Sequence, residues 1–318
     1  MTAAPRRRRH DPLPARGGGR VEPPGPSTID LHTHSTRSDG IVPPAVLVGH
    51  AFDAGVRLMA LTDHDTLAGY RDVRAADAVP GGMTLIPGIE INAIVTRDLG
   101  LWEGELHILG FGMDPEDAAF EAELAAQRGR RRERFETTVA LLRELGLSID
   151  AQVERLSGTD DDALGRPTVA RALIEAGHAT SVEDAFARLL AWGKPAYVPR
   201  TGLGPVGAIE AIRTAGGLPV LAHFSEAPAR VEVVRELVEA GLGGLEVYYR
   251  SFDSATVAAV GEVAASLGIV ATGGSDYHGD TNTYAEAHEG LWVPPEVATG
   301  LAAAGVMAPG VVGSPAQP

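Results

Sequence analysis

The sequence predicts an α/β fold of barrel type, one domain interrupted by a helical insertion. Three observations lead there. From residue 27 onward, short apolar runs alternate with helical stretches at barrel-like intervals. Histidine, aspartate and glutamate recur at the ends of those runs, the height at which α/β barrels carry their working residues. Between residues 115 and 199 the rhythm breaks into a block of helical pattern alone.

Bulk properties narrow the field. The chain has 318 residues, 44% of them hydrophobic, enough for one large core. It contains no cysteine, so disulfides and thiolate metal sites are excluded and any metal falls to His, Asp and Glu. No apolar run approaches the roughly 20 residues that span a bilayer, so no membrane partner is expected and the cytoplasm is the expected compartment. A formal charge of −15 argues against a surface for duplex DNA. Residues 1–26, rich in Pro, Gly and Arg, read as a disordered tail, and 309–318 as a second one. Arg6 to Arg9 lack the apolar stretch that would make them part of a secretion signal.

The first apolar run, 29–31, leads into His32 and His34, which a strand projects to one face, with Asp39 on the next loop. Residues 44–55 read as a helix that opens on proline and stops at glycine. A buried strand at 58–62 ends in Asp63-His64-Asp65. A short helix at 68–78 follows, and then a strand that leads through Pro87-Gly88-Ile89 to Glu90. A strand at 106–112 carries His107 near its start.

The insertion opens with a long helix, 118–145, bearing Arg128, Arg130, Arg131, Arg132 and Arg134. A polar loop at 158–162 and helical pieces at 166–176 and 182–190 complete it. The strand rhythm resumes at 218–222, ending in His223, and continues with a helix at 231–240 and a strand at 244–247. A strand at 269–272 runs through Gly273-Gly274-Ser275 into Asp276 and His278, and a last strand is expected at 291–293. Barrel segments 27–114 and 200–308 thus flank an insertion, 115–199, laid over the scaffold as a cap.

Six histidines and three carboxylates at one topological height are more than core packing explains. His32, His34, Asp39, His64, Glu90, His107, His223, Asp276 and His278 exceed what one or two ions of ordinary coordination need. Three divalent ions sharing Glu90 would use them, and buried carboxylates without cations would repel one another severely. His10, His50, His178 and His288 fall outside this pattern and read as ordinary tail, helix or turn residues.

The ordered series His32-x-His34, Asp39, Thr62-Asp63-His64-Asp65, Pro87-Gly88-Ile89-Glu90, His107, Ala222-His223 and Gly274-Ser275-Asp276-Tyr277-His278 resembles the PHP (polymerase and histidinol phosphatase) superfamily. The resemblance covers residues 27–294 and implies a distorted (β/α)7 barrel with a trinuclear metal centre. Gly165-Arg166-Pro167, the stretch Gly193-Lys194-Pro195-Ala196-Tyr197-Val198-Pro199 and Gly244-Leu245-Glu246-Val247-Tyr248 resemble its TrpH/YciV-like branch, which hydrolyses nucleoside 3′,5′-bisphosphates and short RNA from the 5′ end. Carried over, the resemblance implies one metal on His32, His34, Glu90 and Asp276, and a second on Asp39, His64 and His278. A third would sit with Glu90, His107 and His223. Two positions depart from the pattern: Thr168 stands where a His is expected, and Phe224 where a Pro is. Neither is a ligand, and the first bears on substrate contacts in the insertion.

The expected chemistry is water made nucleophilic by three clustered divalent ions, with manganese favoured and zinc or iron(II) also compatible with N/O ligands. Asp65 and His223 are candidates to neutralise the leaving alkoxide, Asp65 alternatively as an orienting group. A bisphosphorylated nucleotide or short single-stranded RNA needs a second anion site, for which Arg131 and Arg134 at i, i+3 are suited, joined by Arg166, Lys194 and Arg200. Two other functions compete. A histidinol-phosphatase-like phosphomonoesterase would not require the arginine-rich insertion. A non-catalytic metal-binding module regulating a partner would not require the full ligand set.

Overall fold

The structure is a computed structural model that describes residues 27–95, 104–156, 165–279 and 282–307. Both expected tails and the polar loop at 158–162 lie outside the described residues. The first half runs β1 (Ile29–Asp30), α1 (Pro44–Asp53), β2 (Leu58–Leu61), α2 (Ala68–Ala75), β3 (Thr84–Val95) and β4 (Gly104–Phe111). A helical stretch follows: α3 (Ala118–Glu144), α4 (Asp150–Leu156), α5 (Arg166–Glu175), α6 (Val182–Ala185) continuing as a π-turn (Phe186–Leu190), and α7 (Pro205–Thr214). The chain then runs β5 (Leu218–Leu221), α8 (Val231–Glu239), β6 (Gly244–Tyr249), α9 (Ser254–Leu267), β7 (Val270–Gly274), α10 (Tyr284–Glu289) and α11 (Glu296–Ala303). Among the described residues no helix is long and apolar enough to cross a membrane.

The seven strands lie side by side in chain order in a nearly closed barrel. Closure comes from β1 and the chain just beyond it meeting β7. Leu31 N–H donates to the Gly273 carbonyl at 3.2 Å, Asp276 N–H to that of His32 at 2.7 Å, and His34 N–H to that of Tyr277 at 2.9 Å. The seam is tight. A Cβ on Gly274 would stand 2.4 Å from the His32 nitrogen, so only glycine allows β7 to come this near the first histidine.

One feature differs from an all-parallel (β/α) rhythm: β4 runs antiparallel to both β3 and β5. The reason is loop length. Only residues 96–103 separate β3 from β4, and a parallel crossover needs a dozen or more. β3 therefore extends to twelve residues and pairs with β4 from Gly88↔Phe111 to Val95↔Gly104. Glu90 and His107 consequently arise from the middle of a hairpin rather than from strand ends. The expected strand at 291–293 is not formed. Leu291 and Val293 are buried against Leu301 and the inner side of the barrel, but in an irregular segment that Pro294 follows.

Packing of α3 sets the position of the insertion. Phe120 and Leu124 in its first half join the core of the barrel, whereas Phe135, Val139 and Leu142 join a separate core of residues between 135 and 196. The arginine-bearing middle of the helix lies between these two anchors.

Asp30 is the main polar tie beneath the site. Wholly buried, it accepts from Ser275 N–H at 2.9 Å, Ser275 Oγ at 2.6 Å and Tyr284 Oη at 2.7 Å, joining β1 to the end of β7 and to α10. Asp30→Ala would remove the acceptor shared by buried donors of His32, Ser275 and Tyr284 and is expected to lower stability by on the order of 3 kcal/mol or more in urea unfolding. Glu226→Ala, which removes an exposed pair with Arg230, should change it by no more than about 0.5 kcal/mol.

Candidate metal centre

Three of the site residues hold a backbone conformation that L-residues avoid. Asp65, His223 and Asp276 have φ of +52°, +33° and +51°. Each is pinned by a bond to another residue of the site. Asp65 N–H donates to the Glu90 carbonyl at 3.1 Å, Asp276 N–H to that of His32, and His223 N–H to Glu246 Oε2 at 2.7 Å. The turn after each strand is thus bent so that His223 and Asp276 face one bowl and Asp65 stands at its edge.

In that bowl five imidazoles form a closed ring. Successive ring centroids from His32 to His34, His64, His107, His223 and back to His32 are 5.2, 4.7, 5.7, 5.0 and 5.7 Å apart. His278 stacks on His34 at 4.2 Å. The carboxylate of Glu90, 1% exposed, sits inside the ring. Its Oε2 lies 3.6 Å from His32 Nε2, 3.2 Å from His34 Nε2 and 3.0 Å from His64 Nδ1; its Oε1 lies 3.4 Å from His223 Nε2 and in close contact with His107 Nδ1.

All nine metal-ligand candidates from the sequence come together here. Asp276 Oδ1 is 3.3 Å from His32 Nε2 and 3.2 Å from His34 Nε2, so these three with Glu90 form a compact quartet. Asp39 lies beside the ring, its Oδ1 3.2 Å from His278 Nε2 and its Oδ2 3.5 Å from His64 Nε2. The donor atoms fall into four overlapping groups, each within 4.8 Å: His34, Asp39, His64 and His278; His32, His223 and Asp276; His32, His34 and Glu90; and Glu90, His107 and His223.

The residues fit cations. Donors about 2.1 Å from a tetrahedral ion stand about 3.4 Å apart, and the quartet spacings bracket that value. Moreover, His32 Nε2, both ring nitrogens of His34, Asp39 Oδ1 and His64 Nδ1 are buried and hydrogen-bond to nothing among the described residues. Lone pairs oriented toward shared points rather than toward donors suit metal ligation. Electrostatics agree in sign. Burial raises the Glu90, Asp39 and Asp276 carboxyls, yet the surrounding imidazoles hold all three well below the usual carboxylate range. Burial lowers His34, and the carboxylates of Asp276, Glu90 and Asp39 more than reverse it, to about 10; at His64 burial wins, at about 4.

Several residues support the site in roles that the sequence did not disclose. Glu246, wholly buried on β6, holds His32 Nδ1 at 2.9 Å through Oε1 and the His223 backbone through Oε2. A lone carboxylate inside an apolar strand was the available signal. Asn92 lies two residues beyond Glu90, on the same face of β3, with its Nδ2 2.7 Å from His107 Nε2. Tyr249 Oη donates to Asp276 Oδ2 at 3.0 Å, and Asp63 accepts from Ser35 and Ser38 under the Asp39 loop.

Beside the bowl lies a pocket lined by Asp65, Asn92, Gln127, Thr201 and four arginines: Arg130, Arg131, Arg134 and Arg200. Arg131 is buried, donating from Nε to Asp65 Oδ2 and from Nη2 to Asn92 Oδ1 at 2.6 Å. It thereby links α3 to Asn92, the residue beside His107. Arg134 donates from Nε to the Val198 carbonyl at 2.9 Å; burial and the Arg166 charge lower it to about 10. Arg166 and Arg200 approach the pocket through Glu105, whose Oε1 is 3.4 and 2.8 Å from them. Lys194 is exposed, and neither it nor Arg166 is among the residues lining the pocket. Arg130 joins the pocket unanticipated. Of the two departures from the family pattern, Phe224 packs into the barrel core and Thr168 is buried at the start of α5.

A barrel whose mouth gathers six imidazoles and three carboxylates beside an arginine pocket defines a metal-dependent phosphoesterase. The chain belongs to the PHP domain family, whose model matches residues 30–191. It is 35% identical over 195 residues to a 5′-3′ exoribonuclease of Haemophilus influenzae, covering 61% of this chain and 68% of that one. It is 31% identical over 269 residues to a 3′,5′-nucleoside bisphosphate phosphatase of Chromobacterium violaceum, covering 79% and 87%. Matches to the exoribonucleases span 64% to 68% of their lengths. Among solved structures, a putative metal-dependent phosphoesterase of Bifidobacterium adolescentis superposes with a TM-score of 0.75 at 28% identity, over 88% of this chain and 96% of that one.

Glu246→Gln places an amide where two donors now meet a carboxylate. Metal affinity, read by competition with a chelating dye, is expected to fall about 10- to 100-fold while the fold is retained. Chelation of the wild-type protein should lower its Tm, because the ions bind the folded arrangement alone.

Proposed function

We propose that the protein hydrolyses phosphate esters of nucleotides, namely nucleoside 3′,5′-bisphosphates and the 5′ ends of short RNA. The observation that carries this reading is the arginine pocket sharing Asp65 and Asn92 with the edge of the histidine bowl. One anion would be cleaved in the bowl while a second is held by guanidinium groups next to it, which suits a substrate with two phosphates. The curated relatives, an exoribonuclease and a bisphosphate phosphatase, support the same class.

In this reading three divalent ions bind. His32, His34, Glu90 and Asp276 hold one, and Asp39, His64 and His278 a second. Glu90 with His107 and His223 holds the third. Manganese is the favoured ion, with zinc and iron(II) as alternatives for an all-N/O donor set. When bound, they would supply a nucleophile from water at neutral pH and offset charge on the phosphoryl oxygens. The chain's own residues do the rest. Arg134 and Arg200 orient the substrate through its second phosphate, and forked guanidinium groups suit phosphate oxygens. His223, a fifth exposed at the side chain, is the alternative to the third ion for neutralising the leaving oxygen. Asp65, committed to Arg131 through Oδ2, orients the pocket wall.

Purified protein with Mn²⁺ should be offered adenosine 3′,5′-bisphosphate, a 5′-phosphorylated oligoribonucleotide and histidinol phosphate in parallel. Turnover of the first two is expected; turnover of histidinol phosphate alone would overturn the assignment. Glu90→Gln, which removes charge from the centre of the ring, is expected to reduce kcat by about 1,000-fold or more together with bound metal. Arg134→Ala should raise KM for the bisphosphate at least about tenfold and leave KM for a plain aryl phosphate nearly unchanged. Equal effects on both substrates would remove Arg134 from substrate binding.

A further inference from the structure

The insertion presents an aromatic surface that the phosphate chemistry does not use. Trp192 is 59% exposed, the most exposed large apolar side chain among the described residues. Its indole packs edge-on against Tyr197, with ring centroids 5.3 Å apart and planes at 66°, which leaves a face of the indole uncovered by that neighbour. The segment carrying both rings is firmly held. Lys194 N–H donates to the Ala191 carbonyl, Tyr197 N–H to that of Lys194, and Ala196 N–H to that of Leu189, each at 3.0 Å, while Ala196 itself is buried in the core of the insertion.

The same segment leads into the arginine pocket. Residue 198, next to Tyr197, is the carbonyl that receives Arg134 Nε, and residue 200 lines the pocket. The Tyr197 phenol is near enough to Arg134 to act on its charge. An exposed indole, an exposed lysine and a half-buried phenol thus follow one another in the stretch that leads to Arg200 of the pocket. The exposed indole is thus joined through Tyr197 to the stretch that holds Arg134, and an aromatic face combined with cationic groups is how proteins hold single-stranded nucleic acid, because every base offers a face to stack while the backbone meets positive charge.

We propose that Trp192, braced by Tyr197, is a stacking ledge for a nucleobase of the substrate, giving the site its preference for nucleotides over other phosphate esters. The inference rests on the reading under Proposed function and adds to it a specificity-determining residue that touches neither a metal ligand nor the cleaved phosphate.

Two variants and two substrates test it. Trp192→Ala should raise KM for adenosine 3′,5′-bisphosphate on the order of tenfold, and leave KM for base-free ribose 3,5-bisphosphate within about twofold. Trp192→Phe, which keeps a ring, should retain most of the wild-type preference. An equal change for both substrates, or no change for either, would overturn the ledge even though hydrolysis persists. Binding is read separately by tryptophan emission. Quenching by adenosine 3′,5′-bisphosphate that is absent with ribose 3,5-bisphosphate, and lost in Trp192→Phe, supports the ledge. Emission that ignores nucleotide but shifts with protein concentration would assign the indole to a contact between copies of the chain, and the proposal would fall. Wild-type protein that cleaves no phosphate ester would instead sink the proposed function, leaving the emission measurement to judge the ledge alone.

Discussion

A single carboxylate enclosed by five imidazoles is the constraint that the rest of the structure serves. Glu90 is buried where an isolated negative charge is costly, and it is kept ionised only by what surrounds it. Its partners come from the chain just beyond β1, from the turns after β2 and β5, and from the neighbouring strand β4. No local stretch of chain could supply them. The barrel has to close to within a glycine's width at the β1–β7 seam before the His32 side of the ring meets the His223 side.

The cost of the bowl is distributed through its surroundings. Left-handed backbone at Asp65, His223 and Asp276 is disfavoured by about 1–2 kcal/mol each, and each is held by a hydrogen bond to another member of the site. Glu246 serves twice, fixing a ring nitrogen of His32 and the bent backbone of His223, so two ligands from different strands share one support. Asp30 and Asp63 repeat this arrangement below, each gathering hydroxyl and N–H donors from loops that carry ligands.

Much of this was legible in the chain itself. The nine donor residues declare themselves because imidazole and carboxylate in or just past apolar runs have little reason to be there for packing, and the structure brings all nine together. The longer helices of the insertion were also legible, α3 being observed one residue short of its expected end, whereas the short α4 was not expected and 182–190 divides into α6 and a π-turn. What periodicity could not give was direction. Nothing in the run 104–111 says that it opposes its neighbours; that follows from the brevity of the preceding connection, a property of the pair of strands rather than of either. Glu246 was missed for a related reason: one charged residue between Leu245 and Val247 looks like a tolerated polar position until its partner 214 residues away is known.

The continuity of α3 has a mechanical consequence. Twenty-seven residues make an unbroken rod of roughly 40 Å, seated in the barrel core at Phe120 and Leu124 and in the other core at Phe135 to Leu142. A rod anchored at both ends has no joint at which to swing, and Arg131 bolts its centre to Asp65 and Asn92. The arginines on its middle turns are therefore held beside the bowl by a helix tied at both ends and at its centre.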